Sequence, residues 1–187
     1  MVNISMKYIV IDNFLDAKTF LSVKKEMYGP NLPWFHNEFL VYEDEVVENN
    51  TWNWQLTHTF YKHNSPRSDK FHLMDPILEK LNPSSIVKIK ANLMPRTDNI
   101  IVHQLHTDID MFKGKTSVYY INSNNGYTLF QDGTKVESVE NRMVIFDSDI
   151  PHTGTSCTNA RNRCVLNFNY YEWSLSSKFR PDDPSNH

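Results

Sequence analysis

From Ile86 onward the sequence is a succession of short alternating strands and turns without a good amphipathic helix, and this bias constrains the fold more than any other feature. Apolar and polar residues alternate in this part as they do in strands that bury one face. Asp132-Gly133 is the strongest short hairpin signal in the chain. The strands predicted here cover residues 86–93, 116–122, 127–131, 134–136, 143–146 and 163–171.

The first part of the chain supplies two amphipathic helices. Apolar residues share one helical face over 17–27, where Asp16 is a candidate N-cap and Gly29-Pro30 ends the pattern. A second helical pattern covers 71–81, and Asp75-Pro76 within it fits an N-cap followed by proline in the first turn. The main part of this helix is therefore expected to begin there. Strands are also predicted over 7–12 and 52–60, and a loop over 31–36.

Helices with one apolar face need a sheet to cover. We therefore predict a mainly β protein with N-terminal helices: an eight-stranded, cupin-like jelly roll, or double-stranded β-helix, whose two sheets enclose a cavity. With 187 residues, 40% of them hydrophobic, the chain is long enough for one substantial core. A single domain is expected over 1–187, with a helical support region containing β-segments over 1–85 and the jelly-roll core over 86–175.

Charge and composition exclude several classes of function. The formal net charge of −3 gives no basic surplus, so no nucleic-acid partner is expected. No basic region followed by a long apolar run opens the chain, and no stretch is long enough to span a bilayer. We expect a soluble, cytoplasmic protein with no membrane partner. Cys157 and Cys164 are too few for a disulfide framework or a four-cysteine zinc site.

His106 and Asp108 are the leading candidates for chemistry. In an extended strand alternate side chains share a face, so these two point the same way with Thr107 turned aside. A second imidazole from His152 would complete two histidines and one carboxylate, the facial triad that leaves open positions on non-heme Fe(II). Taken singly, each residue has a simpler explanation, as a surface strand pair or as a turn residue after Pro151.

Five stretches extend this pattern over most of the chain: 8–15, 106–108, 117–122, 151–152 and 163–171. In this order they resemble the Fe(II)- and 2-oxoglutarate-dependent oxygenases, specifically the prolyl 4-hydroxylase-like branch and its small phage-encoded members. His-x-Asp alone is a weak signal, whereas the ordered set in plausible strand context is much more specific. The resemblance implies that His106, Asp108 and His152 bind Fe(II).

The resemblance also places a basic residue on the last strand to hold the distal carboxylate of 2-oxoglutarate. Arg161 and Arg163 share strand parity, so parity cannot choose between them. Arg163 is preferred because residues 164–170 reproduce the family's final strand in register. The cavity side of this strand is then predicted to carry Arg163, Val165, Asn167 and Asn169, and the helix side Cys164, Leu166, Phe168 and Tyr170.

Three further residues are candidate co-substrate ligands by resemblance. Tyr120 lies where relatives supply a phenol to the same carboxylate, and Asn92 or Asn167 is a candidate amide donor. Relatives often carry Gly-Gly in the hairpin after Tyr120, where this chain has Gly126-Tyr127. This loop is still expected to turn.

The implied function is a dioxygenase that uses Fe(II), 2-oxoglutarate and O2 to hydroxylate an unactivated C–H bond, with succinate and CO2 as co-products. The expected substrate is a prolyl or other amino-acid residue in a peptide or protein, with a small molecule as the other possibility. One alternative is a non-catalytic jelly-roll module that binds a metal or a sugar-like ligand, which has no need for a carboxylate anchor such as Arg163. Another is a zinc hydrolase built on the same three ligands, which lacks an evident general base.

Overall fold

The computed structural model describes residues 8–40, 53–108 and 113–173. Its strands form two antiparallel sheets, one of eight strands in the order β1-β9-β6-β11-β5-β3-β2 with β4 paired to β3, and one of three in the order β10-β7-β8. The strands are β1 (Tyr8–Ile11), β2 (Phe35–Asn37), β3 (Gln55–Lys62), β4 (Ser65–Pro66), β5 (Ser85–Pro95), β6 (Lys115–Tyr120), β7 (Tyr127–Phe130), β8 (Lys135–Glu137), β9 (Met143–Asp147), β10 (His152–Gly154) and β11 (Asn162–Tyr171). This double-sheet arrangement confirms the predicted fold class, although the two sheets are unequal in size.

The predicted helices are present. Helix α1 covers Ala17–Met27, and Asp16 caps it by accepting hydrogen bonds from the backbone N–H groups of Lys18 and Thr19, both at 3.1 Å. Helix α2 covers Asp75–Leu81 and directly follows a 3₁₀ turn over Phe71–Met74. The second helical pattern of the sequence is therefore a 3₁₀ turn that continues into a short α-helix. Asp75 is the first residue of α2 rather than its cap, because Met74 occupies the cap position.

Strand β11 separates the core from the cavity. Its alternate residues Cys164, Leu166, Phe168 and Tyr170 belong to the same buried cluster as Phe20 and Met27 of α1. Its other face lines the cavity with Arg163, Val165, Asn167 and Asn169. Both predicted faces of the last strand are therefore confirmed. A second apolar cluster, between the sheets, contains Val118, Tyr120, Phe130, Val136, Val144, Phe146 and Val165.

Three further sequence predictions need correction. The strand predicted over 52–60 lies at Gln55–Lys62, and residues 51–52 lie outside the described part of the chain. The loop predicted over 31–36 contains the start of β2, which pairs with β3 through Phe35 and Thr57. The segment with His106 and Asp108 is not a continuous strand, since its ladder contact is one isolated bridge to His152. Across the described residues, no helix has the length and apolar character needed to cross a membrane.

Candidate metal and co-substrate site

The three predicted metal ligands lie together at one end of the cavity. Their ligand atoms all lie within 4.8 Å of one another. Asp108 is central: its Oδ1 lies 3.8 Å from His106 Nε2 and its Oδ2 lies 3.6 Å from His152 Nε2. A two-way backbone bridge between His106 and His152 (N to O distances of 2.9 and 3.0 Å) holds the imidazoles side by side, although 46 positions separate them in the sequence numbering. The arrangement forms a three-point clamp suited to one cation.

Both imidazoles are oriented by their own chain. Nδ1 of His152 lies 3.1 Å from the carbonyl oxygen of Ile150, and Nδ1 of His106 lies 3.4 Å from that of Gln104. Because a carbonyl can only accept, Nδ1 is the donor in both contacts, and Nε2 is the ring nitrogen that faces Asp108. Each histidine is thus prepared to bind a metal through Nε2.

The carboxylate of Asp108 is positioned by two neighbours. Its Oδ2 accepts hydrogen bonds from Thr116 Oγ1 at 3.1 Å and from Asn169 Nδ2 at 3.0 Å. Burial disfavours the charged carboxylate, but the two imidazoles and these two donors outweigh burial and lower the pKa of Asp108. Burial also lowers the pKa of His152, which favours the neutral imidazole that a metal requires. Two neutral imidazoles and one carboxylate are a donor set that suits Fe(II).

Arg163 lies in the same cavity and is only 2% exposed. Its Nε donates to Ser138 Oγ at 2.8 Å, and its Nη2 donates to Thr128 Oγ1 at 3.3 Å. Among the described residues no carboxylate pairs with this guanidinium. Burial lowers the pKa of Arg163, but an arginine remains charged in proteins. A buried cation that lacks a counter-ion is costly, so the site favours an anionic ligand.

Two glycines leave the space that the Arg163 side chain occupies. A Cβ added at Gly126 would lie 2.7 Å from Arg163 Cδ and 2.6 Å from the carbonyl oxygen of Ser156, and one at Gly154 would lie 3.2 Å from Arg163 Nη1. Gly154 is two residues from His152 along β10, about 7 Å of strand. The guanidinium and the metal clamp are therefore close enough for one small molecule to contact both.

Tyr120 supports this arginine from behind. Its ring lies beneath the guanidinium, with Arg163 Cζ 5.6 Å from the ring centroid, and its hydroxyl donates to Thr128 Oγ1 at 2.7 Å. Burial raises the pKa of Tyr120, which keeps the phenol neutral. In the described structure Tyr120 thus contacts Arg163 and the threonine that orients it, and its direct contact with the co-substrate stays a prediction.

The two predicted amide donors line the cavity between these ends. Asn92 on β5 and Asn167 on β11 each have a buried Oδ1 without a hydrogen-bond partner in the described structure. Buried polar atoms without partners indicate a missing ligand or water. Arg161, in contrast, is exposed and lies beside Tyr28 and Asn122, outside this cavity.

Sequence reasoning missed the supporting residues. Thr128 and Ser138 orient Arg163, and Thr116 orients Asp108. Parity placed Asn169 on the cavity side, but nothing local showed that it contacts Asp108. Serine, threonine and asparagine are common in any β protein, so only their partners across the sheets identify them.

No protein-family model and no curated protein sequence matches the chain. Solved structures do match. A prolyl hydroxylase from Trichoplax adhaerens, in complex with a peptide fragment of the hypoxia inducible factor oxygen degradation domain, is 14% identical with a TM-score of 0.58, and the match covers 94% of this chain and 89% of that one. A viral collagen prolyl hydroxylase from Paramecium Bursaria Chlorella virus-1 is 12% identical with a TM-score of 0.56, covering 90% and 91%. HygX from Streptomyces hygroscopicus, with nickel and 2-oxoglutarate bound, is 12% identical with a TM-score of 0.56, covering 93% and 85%.

At these identities the likeness shows the fold. The chain has the same double-stranded β-helix fold as these three proteins.

Proposed function

We propose that this protein is an Fe(II)- and 2-oxoglutarate-dependent dioxygenase that hydroxylates an unactivated C–H bond. One observation carries the proposal: a buried arginine without a counter-ion shares a single cavity with a clamp of two histidines and one aspartate. The first feature suits the distal carboxylate of 2-oxoglutarate, and the second suits Fe(II). The neighbours' fold supports the combination.

Each residue has a distinct role in this proposal. His106, Asp108 and His152 would hold Fe(II) through three ligands, which leaves positions open for 2-oxoglutarate and O2. The bound metal supplies the oxidising chemistry, in which 2-oxoglutarate, O2 and R–H give succinate, CO2 and R–OH. Arg163 would orient 2-oxoglutarate by pairing with its distal carboxylate, in a pocket whose low polarity strengthens the pair.

Asn92 and Asn167 are proposed to contact the co-substrate between its two ends. Their orphaned amide oxygens lie in the cavity between Arg163 and Asp108, on adjacent strands. The Nδ2 group of either side chain can donate to a carboxylate oxygen of the co-substrate, whereas the unpartnered Oδ1 can accept only from a donor such as a bound water. Tyr120 is proposed to stabilise the anchor, chiefly through Thr128.

For the substrate we propose a prolyl or other amino-acid residue in a peptide or protein. The Trichoplax adhaerens neighbour is bound to a peptide, which supports this choice. HygX has also been solved with hygromycin B bound, so a small-molecule substrate is the other candidate. A cytoplasmic location and kinship with small phage-encoded enzymes are proposals that depend on the sequence resemblance.

The competing functions have less support. Among the described residues that line the cavity, Asp108 is the only carboxylate. A zinc hydrolase using Asp108 as a ligand would therefore have no second carboxylate there to activate water. A simple metal-binding module gives no reason to bury Arg163 in the same cavity.

The test is an anaerobic titration of metal-free protein with Fe(II) and then 2-oxoglutarate, monitored by the visible charge-transfer band of the chelate. We expect the band in wild type and its loss in His106→Ala. Arg163→Gln should need a higher concentration of 2-oxoglutarate to form the band than Arg161→Gln does. The exposed Arg161 is the matched control, because its substitution removes the same charge. A folded wild-type protein that forms no band would overturn the oxygenase proposal.

A further inference from the structure

Two lysines line the same cavity, and Lys88 is the one farther from Arg163 along the strand. Lys88 and Lys90 are successive cavity-facing residues of β5. Lys88 pairs across the sheet with Asn169, the residue that contacts Asp108, whereas Arg163 pairs with Met94. Six residues of extended strand, about 20 Å, separate Lys88 from Met94. Lys88 therefore lies beside the metal clamp, and Lys90, which pairs with Asn167, lies one step closer to the arginine on the same face of β5.

Neither ammonium group has a carboxylate within ion-pair distance among the described residues. Burial is the main cause that lowers the pKa of both lysines, and that of Lys90 falls to about 8 because Lys88 also repels its charge. The negative charge of Asp108 raises the pKa of both lysines, but less than the other effects lower it. The cavity thus contains two ammonium groups whose charged form is disfavoured by burial.

A third lysine increases this penalty. Lys62 of β3 lies directly opposite Lys88, and its charge also lowers the pKa values of Lys88 and Lys90. Like charges opposite each other in a sheet are destabilising. A bound anion would offset this repulsion between the neighbouring lysines.

The proposed metal and co-substrate do not remove the excess charge. Lys88, Lys90 and Arg163 oppose a single carboxylate, Asp108, among the described residues that line the cavity. Fe(II) and 2-oxoglutarate carry equal and opposite charges, so binding both leaves the positive surplus unchanged. In the proposed complex Arg163 pairs with the distal carboxylate of 2-oxoglutarate, and the metal held by the clamp binds its opposite end.

We propose that Lys88 and Lys90 bind an anionic group, a carboxylate or a phosphate, of the substrate beside the metal clamp. The assignment of this anion to the substrate rests on the proposed oxygenase function, whereas the anion site itself rests only on the lysines. It narrows the substrate class to molecules or peptides with a negative charge close to the oxidised carbon.

The direct test is NMR of protein labelled with ¹³C at lysine Cε and loaded with Zn(II) and 2-oxoglutarate, titrated with acetate and with inorganic phosphate. Single Lys88→Arg and Lys90→Arg variants assign the two signals while keeping the charge. We expect both signals to shift saturably, with an apparent Kd at least about tenfold below that of any exposed lysine. Whichever of acetate and phosphate binds more tightly identifies the anion class.

Exposed Lys18 and Lys25 are the internal controls, because they report non-specific anion binding on the same protein. Isothermal titration calorimetry, which needs no lysine signal, compares the variants: a Lys88→Gln/Lys90→Gln double variant should lose saturable anion binding, whereas Lys18→Gln/Lys25→Gln, with the same net charge, should keep it. Shifts at Lys88 and Lys90 that stay linear like those at the controls would overturn the proposal.

Failure of this proposal is separable from failure of the oxygenase proposal. The double variant should retain the Fe(II) and 2-oxoglutarate charge-transfer band with an unchanged 2-oxoglutarate requirement. If the double variant instead binds 2-oxoglutarate as weakly as Arg163→Gln does, the lysines bind the co-substrate and the inference is wrong. If wild type forms no band but the two lysines bind anions, the site exists and the oxygenase function fails.

Discussion

Asn169 is a buried residue that orients the aspartate of the clamp. Its amide donates to Asp108 Oδ2 at 3.0 Å and to Thr116 Oγ1 at 3.1 Å, and the side chain is 4% exposed. Outer partners of metal-bound carboxylates usually contribute 10- to 100-fold to metal affinity. We therefore expect Asn169→Ala to weaken Fe(II) binding by about that factor, measured by competition with a chelator.

Asn167→Ala is the matched control for this prediction. Asn167 lines the same cavity on the same strand, but its Oδ1 has no partner in the described structure. Its substitution should leave Fe(II) affinity unchanged. Equal losses in the two variants would mean that the contact between Asn169 and Asp108 does not position the ligand.

At the residue scale, the sequence predicted site residues that have a distinctive side chain or a clear position in the alternation of a strand. His106, Asp108 and His152 carry side chains of recognisable metal chemistry, and alternation on β11 placed Arg163 and Asn169 on the cavity face. The contact of Asn169 with Asp108 joins residues 61 positions apart. No local pattern encodes such a contact, because it depends on how β6, β11 and the segment before Ile109 come together.

At the element scale, most strands were predictable, including the short β1, β7 and β8, whereas β2, β4 and β10 were not. Strand β11 is ten residues long, and polar and apolar residues alternate from Leu166 to Tyr170, so its own sequence indicates a strand. Strand β10 has three residues, and His106 joins the small sheet through one bridge. Such segments are extended because a distant partner holds them, and their own residues carry too little periodicity to show it.

The turn before β7 is a second element whose sequence meaning emerged only in the structure. Gly126 is a glycine because of its neighbours, since a Cβ there would collide with the backbone of Ser156 and with Arg163 Cδ. We expect Gly126→Ala to destabilise the protein by about 1–3 kcal/mol, as overpacking does, and to weaken 2-oxoglutarate binding by displacing Arg163. Urea unfolding and the charge-transfer titration measure the two effects.

Gly133→Ala separates general destabilisation from displacement of the anchor. Gly133 lies in the β7–β8 turn with φ of 86° and open space around its Cα, so alanine strains the backbone without touching Arg163. It should lower stability by about 1 kcal/mol and leave 2-oxoglutarate binding intact. If Gly126→Ala also spares 2-oxoglutarate binding, the glycine does not set the position of the arginine.

At the scale of the whole molecule, the cavity is a junction between two sheets. Arg163 and Asn167 belong to the eight-stranded sheet, whereas His152 and Thr128 belong to the three-stranded one. The class of this architecture was predictable, because helices followed by short strands permit few alternatives. The unequal division into eight and three strands was not, because pairing is set by contacts across the whole chain.

A ligand held by both sheets should stabilise the whole fold. With Zn(II) bound, 2-oxoglutarate at 100 times its Kd should add about 2.7 kcal/mol, since it binds only the folded state. For a chain of this size that raises Tm by about 5–11 °C. The increase should vanish at the same concentration in Arg163→Gln and persist in Arg161→Gln, when Tm is measured by differential scanning calorimetry. Among the described residues, Arg163 is the only cation that joins β11 to Thr128 of the small sheet. An increase in Tm that survives in Arg163→Gln would therefore show that another residue holds the distal carboxylate of 2-oxoglutarate.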